Sequence, residues 1–297
     1  MGLKTRAAAT VFLLILLVCP PAGIAQTAGP GSAAALNAES KSISNSNPEK
    51  SAEIARRALE LARETGDALN AAEALHNLAA AQRNLGRYDL ARDYAQQSAD
   101  AFAAAGDRKG EAQGYNTLGL IHSDRGDYAR ALEHHHRALA IRLAIGDQQG
   151  IAYSYNNLGN MYRNVQDYAR ALEHHYKALE IKKALPDRSS LAFSYANIGT
   201  VYSTMGETEK ALESMREALR IRQELGEERY VASTYNAMGL VLDDATPAAA
   251  LVEFEKALAI RERLGDLPLL LAGLIGSNRG WVEAPYVPCP AGLEDIA

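Results

Sequence analysis

Residues 155–162 read Tyr155-Asn156-Asn157-Leu158-Gly159-Asn160-Met161-Tyr162, and the same frame returns at a spacing of 40 residues. Upstream it appears as Tyr115-Asn116-Thr117-Leu118-Gly119. Downstream it appears as Tyr195-Ala196-Asn197-Ile198-Gly199 and Tyr235-Asn236-Ala237-Met238-Gly239. The apolar column reaches back to Leu78, and a second column, Ala72, Ala112, Ala152, Ala192 and Ala232, has no exception. Self-similarity at a fixed period of roughly 20–50 residues is the mark of stacked supersecondary units.

Within one unit the spacing is helical. Tyr115, Leu118, Gly119 and His122 fall at i, i+3, i+4 and i+7, the stripe of a first helix. Ala131, His135, Ala138 and Arg142 form the stripe of a second, flanked by Leu132, Leu139 and Ile145. Between them Gly126, in Arg125-Gly126-Asp127-Tyr128, suits a helix C-cap. Units end at Gly106-Asp107, Gly146-Asp147, Gly226-Glu227 and Gly265-Asp266. A mid-helix glycine costs about 1 kcal/mol against alanine. The column Gly119, Gly159, Gly199, Gly239 therefore predicts close approach of a neighbouring backbone, with Ala131, Ala171 and Ala211 as the facing positions.

The register predicts a leading helix at 48–65 and five helix pairs at about 69–107, 109–147, 149–187, 189–227 and 229–266, with Pro247 in the last inter-helix turn. The fold class is all-α: a right-handed α-solenoid of antiparallel helix pairs over 48–266. Composition agrees. Hydrophobic residues make up 47% of the 297, but aromatics only 6%, which suits closely packed Ala- and Leu-rich helices better than a β-sandwich. The formal net charge is −5 without a basic run, which argues against sequence-independent nucleic-acid binding.

Outside the repeats the pattern changes. Lys4 and Arg6, an apolar run from Ala7 to Val18, and small residues at Gly23 and Ala25 read as a signal peptide, residues 1–25, cut after Ala25. Export to the periplasm or beyond is the expectation, with 29 basic and 36 acidic residues left after cleavage. Residues 26–47, rich in Ala, Gly, Ser and Asn, read as a flexible linker. No later stretch is apolar enough to span a membrane. Cys289 would be alone in the mature chain, so packing must hold the fold. Residues 267–297 depart from the register, with Trp281 and Pro285, Pro288 and Pro290 where another first helix is due. Solenoids end in a polar capping element. This tail is read either as a lid folded over the last repeat or as the product of truncation or a frameshift.

Tyr155-x-x-Leu158-Gly159-x-x-Tyr162 with Ala171 and Ala178 resembles the tetratricopeptide repeat. The 40-residue period and the wording of these repeats are similar to those of kinesin light chain, Pins-class spindle adaptors and bacterial sensor proteins. The resemblance implies a non-catalytic scaffold whose first helices line a concave groove that holds an extended peptide or protein segment. An alternative it implies is the sensor portion of a larger signalling protein. The positions it points to are Asn116, Asn156, Asn157, Asn160, Arg163, Asn164, Asn197 and Asn236, with Asn77, Arg83 and Asn84 extending the series. Asn offers both a donor and an acceptor to a peptide backbone, and Arg a fork to a carboxylate. Tyr153 and Phe193 share a column beside this row and offer an apolar anchor.

Catalysis finds no motif: no Gly-rich phosphate loop, no G-x-S-x-G and no H-E-x-x-H. His134-His135-His136 and His174-His175 raise a metal ladder, but His135 and His175 stand at an aromatic packing position, and the next unit has Ser214 and Met215. No metal and no cofactor are expected, and the partner is a protein or peptide.

Overall fold

The computed structural model describes residues 29, 31–242 and 246–265. Among them are twelve helices and no strand: α1 (Ala33–Ile43), α2 (Pro48–Glu64), α3 (Ala68–Asn84), α4 (Tyr88–Ala104), α5 (Arg108–Asp124), α6 (Tyr128–Ile145), α7 (Gln148–Asn164), α8 (Tyr168–Lys183), α9 (Arg188–Thr204), α10 (Thr208–Glu224), α11 (Glu228–Leu242) and α12 (Pro247–Leu264). Each helix packs on the next, which makes six antiparallel pairs in a solenoid. The signal-peptide segment and the 267–297 tail lie outside the described residues.

The segment read as a linker is a correction. It carries α1, so α2 is the second member of a pair and not a lone leading helix. The Ser32 hydroxyl caps α1 by accepting from the Ala35 N–H. Buried Ser40 and Ser51 each donate a hydroxyl to the other's carbonyl at 2.9 Å. Asn37 donates to the Asn70 carbonyl, and Asn77 donates to that of Asn37. Small polar residues thus replace the apolar stripe, and a reading of composition takes such a helix for linker.

Asp67, Asp107, Asp147 and Asp187 cap the first helices α3, α5, α7 and α9, each accepting from the N–H three residues on. That carboxylate satisfies one of the orphan donors of a helix start. Left-handed glycines such as Gly126 (φ 76°) close most turns. At one turn Gln166 takes that conformation, with φ 63°.

Leu78, Leu118, Leu158, Ile198 and Met238 are buried, as are all five alanines of the Ala72 column. The glycine column corrects the expectation of backbone contact. A Cβ on Gly119 would lie 2.6 Å from the His135 ring, and one on Gly159 would lie 2.7 Å from that of His175. At Gly239 the ring is Phe254. At Gly199 the nearest atoms include backbone, the Ala211 carbonyl, beside the Met215 side chain. The glycines make room for a side chain of the second helix. His135 and His175 are fully buried, and burial pushes both rings down to about 4. Neither nitrogen of His135 has a partner, so the ring packs as a neutral aromatic.

The first helices also touch one another directly, α1 on α3, α3 on α5 and α7 on α9. They form the inner layer, and the second helices lie outside it.

Candidate functional site

The expected residues fall into three groups. Those of the N-terminal repeats brace neighbouring repeats. Asn84 donates to the Ser44 carbonyl at 2.8 Å, and Arg83 pairs with Asp124 at 2.5 Å. Asn157 Nδ2 donates to Asn116 Oδ1 at 2.6 Å, which ties α7 to α5. Each bond joins positions about one period apart, so these side chains hold the spacing of the inner layer.

Asn156 forms a second group. It is 8% exposed, and its Oδ1 accepts from the His175 ring Nδ1 at 3.2 Å. It faces the helix-pair interior, and its amide fixes a ring that would otherwise have two orphan nitrogens. One residue off the helical stripe separates it from Asn157, and "Asn-Asn" in a sequence does not say which of the two turns inward.

The third group is open. Asn160, Arg163, Asn197 and Asn236 are half-buried and Asn164 is exposed, and none has a side-chain hydrogen-bond partner among the described residues. Tyr153, Asn157, Asn160 and Asn164 follow i, i+4, i+7 and i+11 on α7, one face of that helix. Phe193 and Asn197 repeat this stripe on α9. Tyr153 is 44% exposed and Phe193 36%. Amide donors and acceptors therefore alternate with aromatic surface along the inner layer.

The sequence reading missed two contributors. Tyr230, at the start of α11, sets its ring edge-on to Phe193 at 5.0 Å, and the Arg222 guanidinium lies 4.9 Å from the Phe193 ring. No column points to Tyr230, because its equivalents are Gly150 and Ser190. The second is a column of buried cations, Arg142, Lys182 and Arg222, on the seams between pairs. Arg142 Nη1 donates to the Gly150 carbonyl and to Ser154 Oγ. Arg222 repeats this with Tyr230 and Thr234, and Lys182 reaches only the Ser190 carbonyl. A cation recurring every 40 residues on an apolar stripe was the available signal.

Among the described residues no three His, Cys, Asp or Glu side chains converge as a metal site would need. His134 stacks between His122 and Tyr115, and His174 packs against Tyr155 and Tyr162. Burial depresses His122 and His134, His122 despite the opposing charge of Asp127. No helix among the described residues is long and apolar enough to cross a membrane.

Paired helices in register, an inner layer of first helices and glycines that seat second-helix side chains define an α-solenoid of helical hairpins. The chain belongs to the tetratricopeptide repeat family, whose model matches residues 33–104, 75–144, 110–184, 150–224 and 190–263. No curated protein matches the sequence. Among solved structures it is similar to BtubC (BKLC) from P. vanneervenii, at 22% identity over 87% of this chain and 99% of that one, TM-score 0.58. It is similar to a Rap protein complexed with Competence and Sporulation Factor, at 18% identity over 82% and 67%, TM-score 0.67. Kinesin light chain repeats from Podosopora anserina match at 15% identity over 65% and 96%, TM-score 0.53. At these identities the likeness is one of fold.

Proposed function

We propose that this chain is a non-catalytic scaffold that holds an extended segment of a partner protein along the inner face of its first helices. The observation that carries the reading is the open row of Asn160, Asn164, Asn197 and Asn236 with Arg163, beside exposed Tyr153 and Phe193. Unpaired amides spaced along adjacent helices match the alternating donors and acceptors of an extended backbone. The exposed rings offer an apolar anchor. That a Rap protein of similar fold has been crystallised with Competence and Sporulation Factor supports the idea that such a layer accommodates a ligand. The basic, apolar and small-residue order of residues 4–25 supports export as its setting.

The test is selection of binders from a displayed library of random peptides, followed by affinity measurement on variants. Asn160→Ala with Asn197→Ala and Asn236→Ala weakens a selected peptide at least about tenfold, because each lost amide pair contributes roughly 0.5–1.5 kcal/mol. Unchanged affinity in the triple variant removes the groove.

A further inference from the structure

We propose that residues 285–290 of this chain dock in cis, as an extended proline helix, on an aromatic shelf formed by Tyr153, Phe193 and Tyr230. The docked segment fills the apolar end of the inner-face groove, so a partner must displace it. That consequence, and not the docking itself, rests on the groove reading.

Four aromatic rings are well exposed among the described residues, and three of them make the shelf. The fourth, Tyr176, already has its hydroxyl against that of Tyr202. Each shelf ring is pinned by a buried cation. Lys182 Nζ lies 5.6 Å from the Tyr153 centroid, and Arg222 Cζ lies 4.9 Å from that of Phe193 and 5.3 Å from that of Tyr230. A ring held in this way has little rotamer freedom left to lose when a ligand covers it. The Tyr153 and Tyr230 hydroxyls have no hydrogen-bond partner among the described residues. A polyproline helix has no internal hydrogen bonds, so its carbonyls are free to accept from them. Aromatic-lined surfaces are the usual seat of such a helix.

The spacing fits as well. Prolines three residues apart on a polyproline helix stand about 9 Å apart. Packed helices lie about 8–10 Å apart, and α7 touches α9 directly. One P-x-x-P step therefore matches the step from the Phe193 seat to the Tyr153 seat.

The chain carries the occupant. Pro285-Tyr286-Val287-Pro288-Cys289-Pro290 begins twenty positions past Gly265 and lies outside the described residues. The described residues end beside the shelf. Arg263, near the end of α12, pairs at 2.8 Å with Glu228, two residues before Tyr230. In antiparallel pairs the end of a second helix and the start of a first helix share an edge, and all three rings stand in the first two turns of α7, α9 and α11. Twenty residues span up to about 70 Å, well beyond the width of three neighbouring helices at about 10 Å each.

Cys289 is the only cysteine after residue 25, so it supplies the probe. A nitroxide is attached to Cys289 of the full chain carrying Cys19→Ser, and the amide resonances of Tyr153, Phe193 and Tyr230 are followed by NMR. The label broadens all three, and Pro285→Ala with Pro288→Ala abolishes the effect. Phe193→Ser with Tyr230→Ser also abolishes it with circular dichroism unchanged; serine already stands one period away from each, at Ser233 and Ser190. A synthetic peptide of residues 283–292 binds the double-proline variant at least about tenfold tighter than the unsubstituted chain, because a tethered competitor acts at an effective concentration of roughly mM. Absence of broadening, broadening that survives loss of the rings, or equal peptide affinity for both chains overturns the docking. So does broadening of an isotope-labelled chain by a separate spin-labelled one, which would place the segment on a second copy. Library-peptide capture that depends on Asn160, Asn197 and Asn236 without broadening removes the docking alone. Ring-dependent broadening with capture indifferent to those asparagines removes the groove and leaves the docking.

Discussion

The seam between α4 and α5 and the three seams that follow it close the same backbone register by opposite chemistry. At the first, the Phe102 ring lies over Gly110, and Ala99 meets the Gly114 backbone. At the later seams the Phe102 position holds Arg142, Lys182 or Arg222, and the Gly114 position holds Ser154, Ser194 or Thr234. The ring requires glycine beneath it, since a Cβ on Gly110 would lie 2.3 Å from Phe102. Each cation bonds a carbonyl, and the two arginines a hydroxyl as well. The register therefore fixes where repeats meet and leaves open how they are held.

The largest expected effect breaks the apolar seam. Phe102→Ala, with no polar network to compensate, lowers stability by about 3–5 kcal/mol in urea unfolding. A loss well under 1 kcal/mol would show that the first seam is not closed by its ring.

Acid separates the seams from the hairpins they join. His135 and His175 titrate near 4 when folded and near 6.5 when unfolded. Above 6.5 both states are neutral. Between 6.5 and 4 the unfolded chain binds more protons, so stability falls as pH falls through that window, by at most about 3 kcal/mol per ring. His135→Phe keeps an aromatic over Gly119, removes two orphan nitrogens and flattens its share of the loss. Equal acid sensitivity in wild type and variant would place the effect elsewhere.

The column of 40 was sufficient for the helix pairs from α3 onward, because Leu, Ala and Gly recur at helical spacing on the buried stripes. It was insufficient for α1, which packs through Asn37 and Ser40 and carries no apolar signature. It placed the asparagines on first helices, where the structure has them. It could not tell Asn156, turned onto His175, from Asn160, left open, because a residue's neighbours across a repeat are set by side-chain direction.

Smaller changes sharpen the comparison within the cationic seams. Lys182 Nζ reaches only the Ser190 carbonyl, and the buried Ser194 hydroxyl lacks a partner. Lys182→Arg supplies the missing bond and stabilises by about 1 kcal/mol at neutral pH. Burial lowers Lys182 to about 8. The folded chain then sheds this proton before the unfolded chain does. Wild type therefore gains on the arginine variant as pH rises from about 8 to 10.5. A difference that stays flat across that range contradicts a desolvated ammonium. Last, Gln166→Gly relieves the left-handed turn between α7 and α8 and raises the urea midpoint by an amount worth about 1 kcal/mol, leaving both kinds of seam untouched.

The claim that the open first-helix row is the working surface is tested most directly by site-specific photo-crosslinking. A photoreactive residue is placed at Asn160 on α7, or at exposed Glu213 on α10, and illuminated with a peptide selected by the wild-type chain. Adducts at position 160 and none at 213 are the predicted result; adducts at 213 with none at 160 would put the partner on the outer helices and contradict the account.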